Sequence, residues 1–247
     1  MAEDPADEVA GTLTLADWRR RIGTLYAEVR TIAATDPAAA LEHWRSVRET
    51  LFREHAQSPV PAGARAAFRA RHFDHDPTLR FEVAVEPLDG PSGDAPRPPT
   101  IAPFGGSIDF GSGAVVEDAA DTGSGATARL PVSGGGVMAF RRFGAVTVPL
   151  PGGPRRLELF WMEGYAGGLF LPFRDATNGH ETYGAGRYLL DAAKSADLGG
   201  DAAAGTLILD FNFAFQPSCA FDPRWACPLA PPANRVDVPI RAGERLA

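Results

Sequence analysis

The polar chemistry of this chain is concentrated in LFLPFRDATNGHETYGAGRYLL, residues 169–190. Asp175, Thr177, His180, Glu181, Tyr183 and Arg187 lie within thirteen residues, between apolar runs at 169–173 and 188–190. Gly179, Gly184 and Gly186 permit tight turns among them. A loop anchored at both ends by core residues can aim such groups at one point. A carboxylate whose pKa is raised by burial can serve as acid or base, and a guanidinium can grip a carboxylate or phosphate through two N–H groups. Asp175 is therefore a candidate catalytic acid or base, Tyr183 a catalytic hydrogen-bond donor, Arg187 an anion anchor and Thr177 a further ligand contact. The competing reading is structural: buried charges must pair, and an Asp175 to Arg187 pair would pin a long connection. At this level both readings stand.

A second segment adds Asp210 and Asn212. If 207–213 is a strand, Leu207, Leu209, Phe211 and Phe213 share one face and the two polar residues share the other, where they meet water or line a cavity. Asp210 is the second candidate acid or base and Asn212 a hydrogen-bonding ligand contact. The proline-broken run that follows returns to an expected strand at 236–240, and long ordered loops of this kind often carry function. Asn234, within that run, completes the ligand-binding set. Metal-independent hydrolysis or isomerisation is the chemistry these groups would support without a cofactor. Cys219 is the alternative nucleophile, and it would need a nearby base. The reading from a different class is a noncatalytic ligand-binding or structural module.

No metal or cofactor is expected. His72, Asp74, His75 and Asp76 crowd together, but alternate residues of an extended loop point to different sides, so they read as a polar loop with Asp76-Pro77 opening a turn. Seven residues separate Cys219 from Cys227, a spacing that matches no common zinc site, and they read as buried thiols. There is no nucleophile elbow, zincin helix, C-x-x-C or phosphate loop, and Gly184-Ala185-Gly186 reads as a turn.

A formal charge of -7 offers no basic stripe for phosphates or anionic lipid, which disfavours nucleic acid and membrane surfaces. A small polar or anionic molecule, or a second copy of the chain, remains as partner. MAEDPADEVAG has four carboxylates and no apolar run, the opposite of a secretory signal, and no stretch approaches the roughly 18 apolar residues of a membrane span. The expected compartment is the cytoplasm.

These residues also carry a resemblance. The 169–190 segment, LILDFNFAFQPSCAFDPRWACPLAPPANRV and IRAGERL resemble the signature of the bacterial family known as domain of unknown function 1684. Its pattern runs D-x-T-x-G, T-Y-G-x-G-R-Y, D-F-N, P-x-C-A, C-P-L-x-P-P-x-N and A-G-E, and the resemblance extends over about residues 41–247. It points to Asp175, Thr177, Gly179, Tyr183, Gly186, Arg187, Asp210, Asn212, Pro217, Cys219, Cys227, Asn234 and Glu244, and implies no established activity. Gln216 stands where many relatives have Asn, and Ala233 where many have Glu.

The elements that must position these groups come in two kinds. Residues 1–11 read as a disordered acidic tail, and 12–247 as one domain: a helical hairpin over 12–56 and a β-rich core over 57–247. Leu15, Trp18, Ile22, Leu25, Val29 and Ile32 form one helical stripe, with Thr14 and Asp17 as a capping box. Asp36 and Pro37 open a second helix whose face is Leu41, Trp44, Val47 and Leu51. The hairpin is expected to pack on a sheet, the alternative being a dimerising arm. The period then drops to two, with strands at 79–86, 137–150, 155–163, 205–213 and 235–240, separated by Gly and Pro clusters at 87–99, 105–113, 134–136 and 151–154. Many short strands imply a mainly β (α+β) fold, an antiparallel sandwich or barrel.

Overall fold

The computed structural model describes residues 5–88, 127–163 and 167–246. Most of the expected loop at 87–99 and the glycine-punctuated pieces at 105–113 lie outside them. Two helices precede a curled antiparallel sheet, so the chain is mainly β with an N-terminal helical hairpin.

Helix α1 spans Pro5–Ala33, so residues 5–11 of the expected tail are helical and Thr14 lies within the helix and not at its cap. Pro5 fits a first helical turn, and Asp7 and Glu8 face the positive end of the helix dipole. Residues 6–13 are exposed, and a solvated helical extension has the same polar, small composition as a tail. Thr14 donates to the Gly11 carbonyl at 2.8 Å, a contact inside the helix. Asp17 pairs instead with Arg21 and His55. Helix α2, Pro37–Glu54, starts as expected, with Asp36 accepting from the Ala39 amide at 2.9 Å. Trp44 is fully buried between the helices and the sheet, its indole donating to the Tyr26 hydroxyl at 3.1 Å and its ring meeting Phe213 edge-on at 5.5 Å.

The strands are β1 (Arg71–His72), β2 (Arg80–Glu86), β3 (Thr127–Pro131), β4 (Val137–Val148), β5 (Arg155–Met162), β6 (Gly168–Phe173), β7 (Arg187–Asp191), β8 (Gly200–Asp201), β9 (Thr206–Asp210) and β10 (Glu244–Arg245). The main sheet runs β7-β6-β5-β4-β2-β9-β8, with β3 sharing an edge of β4 with β2. Register shifts between Arg142 and Gly144 and between Leu171 and Pro172 bend it into a half-barrel. One face, with Phe140, Phe160, Phe170 and Tyr188, packs on Ile22, Leu25, Val29 and Trp44 of the hairpin. The other, with Val146, Leu157, Leu159, Leu171 and Leu209, closes on Val236, Ile240 and Ala242.

Two expected strands differ. The one at 205–213 stops at Asp210, whose carboxylate accepts from the Asn212 amide at 3.0 Å and caps a 3-10 turn over Phe211–Phe213. Face alternation fails there, and Phe211, Asn212 and Phe213 are all buried. The segment 235–240 bridges the sheet only at Arg174 and Arg235, because Pro239 has no N–H and the Ile240 amide serves a side chain instead. No helix among the described residues is long and apolar enough to cross a membrane.

Candidate functional site

The groups singled out from sequence are not brought to one point. Asp175 follows β6 and Arg187 opens β7, and both are buried. One Asp175 oxygen accepts from the Thr177 amide and hydroxyl, and the other from Arg187 Nη2 at 2.6 Å and the Ile240 amide at 3.2 Å. Arg187 also donates to the Ile240 carbonyl at 2.7 Å, the Glu244 carbonyl at 3.2 Å and the Ala242 carbonyl. Burial pulls the Arg187 pKa below its usual value and Asp175 opposes that pull. Fully buried and holding four acceptors, the guanidinium clamps residues 240–244 to β7; its Nε alone lacks a partner among the described residues. Gly186 makes the turn before it possible: its φ is +104° and a Cβ would lie 2.5 Å from the Phe173 carbonyl oxygen. Thr177 shares its hydroxyl with Thr182, and Asn178, which the sequence reading passed over, ties the loop by accepting from the Asp175 amide and donating to Thr182 and the Tyr183 carbonyl.

Asp210 and Asn212 form a separate network. Asp210 accepts from Arg80 at 3.2 Å and from the Asn212 amide and side chain, while Asn212 exchanges hydrogen bonds with the backbone of Asp76. Half of the His72 to Asp76 loop is thus explained by turn formation: Asp76 also caps the turn at Pro77–Leu79. Asn234 lies elsewhere again. It accepts from the Glu158 amide at 2.7 Å and donates to the Glu158 and Pro172 carbonyls, filling the gap that the Pro172 irregularity opens in the sheet. Tyr183 contacts the Cys219 thiol, and burial pushes its pKa up to about 12. Both cysteines are free and buried; the Cys219 amide donates to Cys227 Sγ at 3.3 Å, and hydrogen bonds from Cys227, Ser133 and Tyr183 hold Cys219 low, at about 6.

A different place has the geometry of a site. Pairing of β1 with β10 sets Arg71 directly opposite Arg245 and His72 opposite Glu244. Glu244 is buried and held bidentately by Arg48 of α2 at 2.6 and 3.3 Å, and it also accepts from the Gln216 amide at 2.8 Å. Gly243, with φ +76°, allows this approach, since a Cβ would sit 2.3 Å from the Ala214 carbonyl oxygen. Outside the pair opens a cleft of about 180 Å³ lined by Phe68, Arg69, Ala70, Arg71, Gln216, Ala220, Phe221, Glu244, Arg245 and Leu246. That exceeds tenfold the roughly 10–15 Å³ that one water needs.

The charged lining is mostly basic. Among the described residues, Arg69, Arg71 and Arg245 have no carboxylate partner: Arg69 donates to the Ala66 and Phe68 carbonyls, and Arg245 stacks on Phe73 at 5.3 Å. Of the carboxylates nearby, Glu181 is engaged by Arg241 at 2.9 Å and also feels the charge of Arg245, and Glu49 accepts from the Ala70 amide at 3.0 Å. Like charges directly opposite on paired strands repel, so Arg71 against Arg245 is an unfavourable cross-strand pair. Gln216 is 7% exposed, and its Oε1 is buried with no donor among the described residues while its Nε2 donates to the Arg245 carbonyl at 3.2 Å. The sequence reading passed over Arg69, Arg71 and Arg245; only the A-G-E motif and Gln216 pointed near them.

A model of the family described as Protein of unknown function (DUF1684) matches residues 114–245, which include every motif from Asp175 to Glu244. Among solved structures, the chain is similar to the solution NMR structure of the uncharacterized protein from gene locus rrnAC0354 of Haloarcula marismortui. The two are 25% identical with a TM-score of 0.52, over 84% of this chain and 93% of that one. A search of curated proteins finds no match. The fold, the buried motif residues and the match over more than half of its length together establish that the chain belongs to the DUF1684 family.

Proposed function

We propose that this protein binds a small anionic molecule in the cleft beside β1 and β10, and that it acts as a binding module. The carrying observation is a cluster of three arginines around one cleft, none of them in an ion pair among the described residues, with Arg71 directly opposite Arg245. Guanidinium groups suit carboxylate and phosphate through paired N–H donors and stay charged at any working pH. An anion between Arg71 and Arg245 would turn a repulsive pair into two charge-assisted contacts. Binding is favoured over catalysis because the acid and base candidates, Asp175 and Asp210, are engaged by Arg187 and Arg80 away from the cleft, and Glu244 is held by Arg48.

Calorimetric titration with inorganic phosphate, sulfate and acetate at low ionic strength tests this. The expected result is binding of at least one oxyanion that weakens with added salt and falls at least tenfold in Arg71→Gln/Arg245→Gln. No binding of any of them, or equal affinity in that variant, overturns it.

A further inference from the structure

We infer that the anion recognised in this cleft carries an aromatic ring, which lies against Phe68 and Phe221. This rests on the anion site proposed above and names the class of molecule it takes. Phe68 and Phe221 meet edge to face with centroids 5.8 Å apart, and both back onto Phe52 at 5.6 and 5.3 Å. Phe52 is itself buried in α2 and stacked on Trp18 at 6.1 Å, so the two outer rings stand on a fixed aromatic base. Yet Phe68 and Phe221 are only partly buried, and they line the same cleft as Arg69, Arg71 and Arg245.

Phe68 and Phe221 each keep part of their ring surface in water beside three arginines. Apolar area left in water forgoes about 25 cal/mol per Å², and an aromatic pair adds directional attraction when a third ring completes it. Arginine also stacks on aromatic planes, so the ring and its acid group would both meet favourable partners. A bare oxyanion would use the arginines and leave the phenyl rings wet.

The test pairs each oxyanion with its aryl counterpart: inorganic phosphate with phenyl phosphate, and acetate with benzoate, titrated calorimetrically into the full chain. Wild type is expected to bind the aryl member of a pair at least tenfold more tightly. Phe68→Leu, which keeps an apolar residue against Phe52, is expected to cut that preference to threefold or less. Equal affinity within both pairs, with binding still lost in Arg71→Gln/Arg245→Gln, overturns the aromatic assignment and leaves the anion site standing. Loss of both members alike in Phe68→Leu, with an unchanged melting temperature, also overturns it. Binding of neither member of either pair removes the anion site and this inference together.

Discussion

Replacing Arg187 with Met tests the clamp at the centre of the β6 to β7 connection. The change keeps roughly the apolar stem and removes every donor, so Asp175 loses its ion pair and the carbonyls of Ile240, Ala242 and Glu244 lose theirs. Asp175 retains the Thr177 and Ile240 amides and the Thr177 hydroxyl, but no counter-charge. Stranding one partner of a buried pair costs about 3–5 kcal/mol, and the carbonyls place this case toward the upper end. For a chain of this size each kcal/mol lowers the melting temperature by about 2–4 °C, so a fall of about 10–20 °C is expected by circular dichroism. Amides of residues 240–246 should lose hydrogen-exchange protection first. Adding Asp175→Asn should recover at least about 1 kcal/mol, since it removes the uncompensated charge. A fall below about 3 °C with protection at 240–246 intact would refute the clamp and return Arg187 to the role of a ligand anchor.

The remaining expectations concern pH, one turn and the first helix. Burial lowers the His72 pKa from 6.5 to about 4, so between those values the unfolded chain binds more protons than the folded one. Stability from this group is complete above about pH 6.5 and is lost as pH falls toward 4, by about 2–3 kcal/mol; urea melts at pH 7, 5 and 4 measure it, and His72→Gln should flatten that slope. Gly186→Ala places a Cβ against the Phe173 carbonyl at positive φ and should lower stability by about 2 kcal/mol or more, whereas Gly63→Ala, in open space, should be neutral within about 0.5 kcal/mol. Deleting residues 1–11 removes exposed helix and the Gln57 bond to the Gly11 carbonyl, and should change stability by less than about 1 kcal/mol in thermal melts.

Local chemistry was readable where it acts locally. Asp36 and Pro37 announced α2, because a cap is a matter of three adjacent residues, and the alternation at 80–86 announced β2. The stripe from Trp18 to Ile32 identified the face of α1 but not its start, since solvated helix and tail share a composition. Asp210 illustrates a different limit: its side chain ends the strand that the pattern of Leu207 to Phe213 extends. The polar cluster at 175–187 was visible as a cluster, yet its role depended on carbonyls more than fifty residues later, at 240–244. The arginine cleft was least accessible. Arg71 and Arg245 meet through strands of two residues each, too short to leave a period, and nothing near either residue names the other.

The bond between Arg48 and Glu244 spans 196 positions of the chain, and it has a consequence for how the protein is made. A ribosome adding about 5–20 residues per second reaches Glu244 roughly 10–40 s after Arg48. During that interval Arg48 lacks the Glu244 carboxylate, and the sheet face that covers Trp44 is still being assembled. The two helices therefore wait in a nascent chain with an apolar stripe open to other molecules, and closure is a late, nonlocal event. Chaperone occupancy during synthesis should consequently depend on the presence of residues 240–246, and chains stalled before them should be the ones that proteases clear.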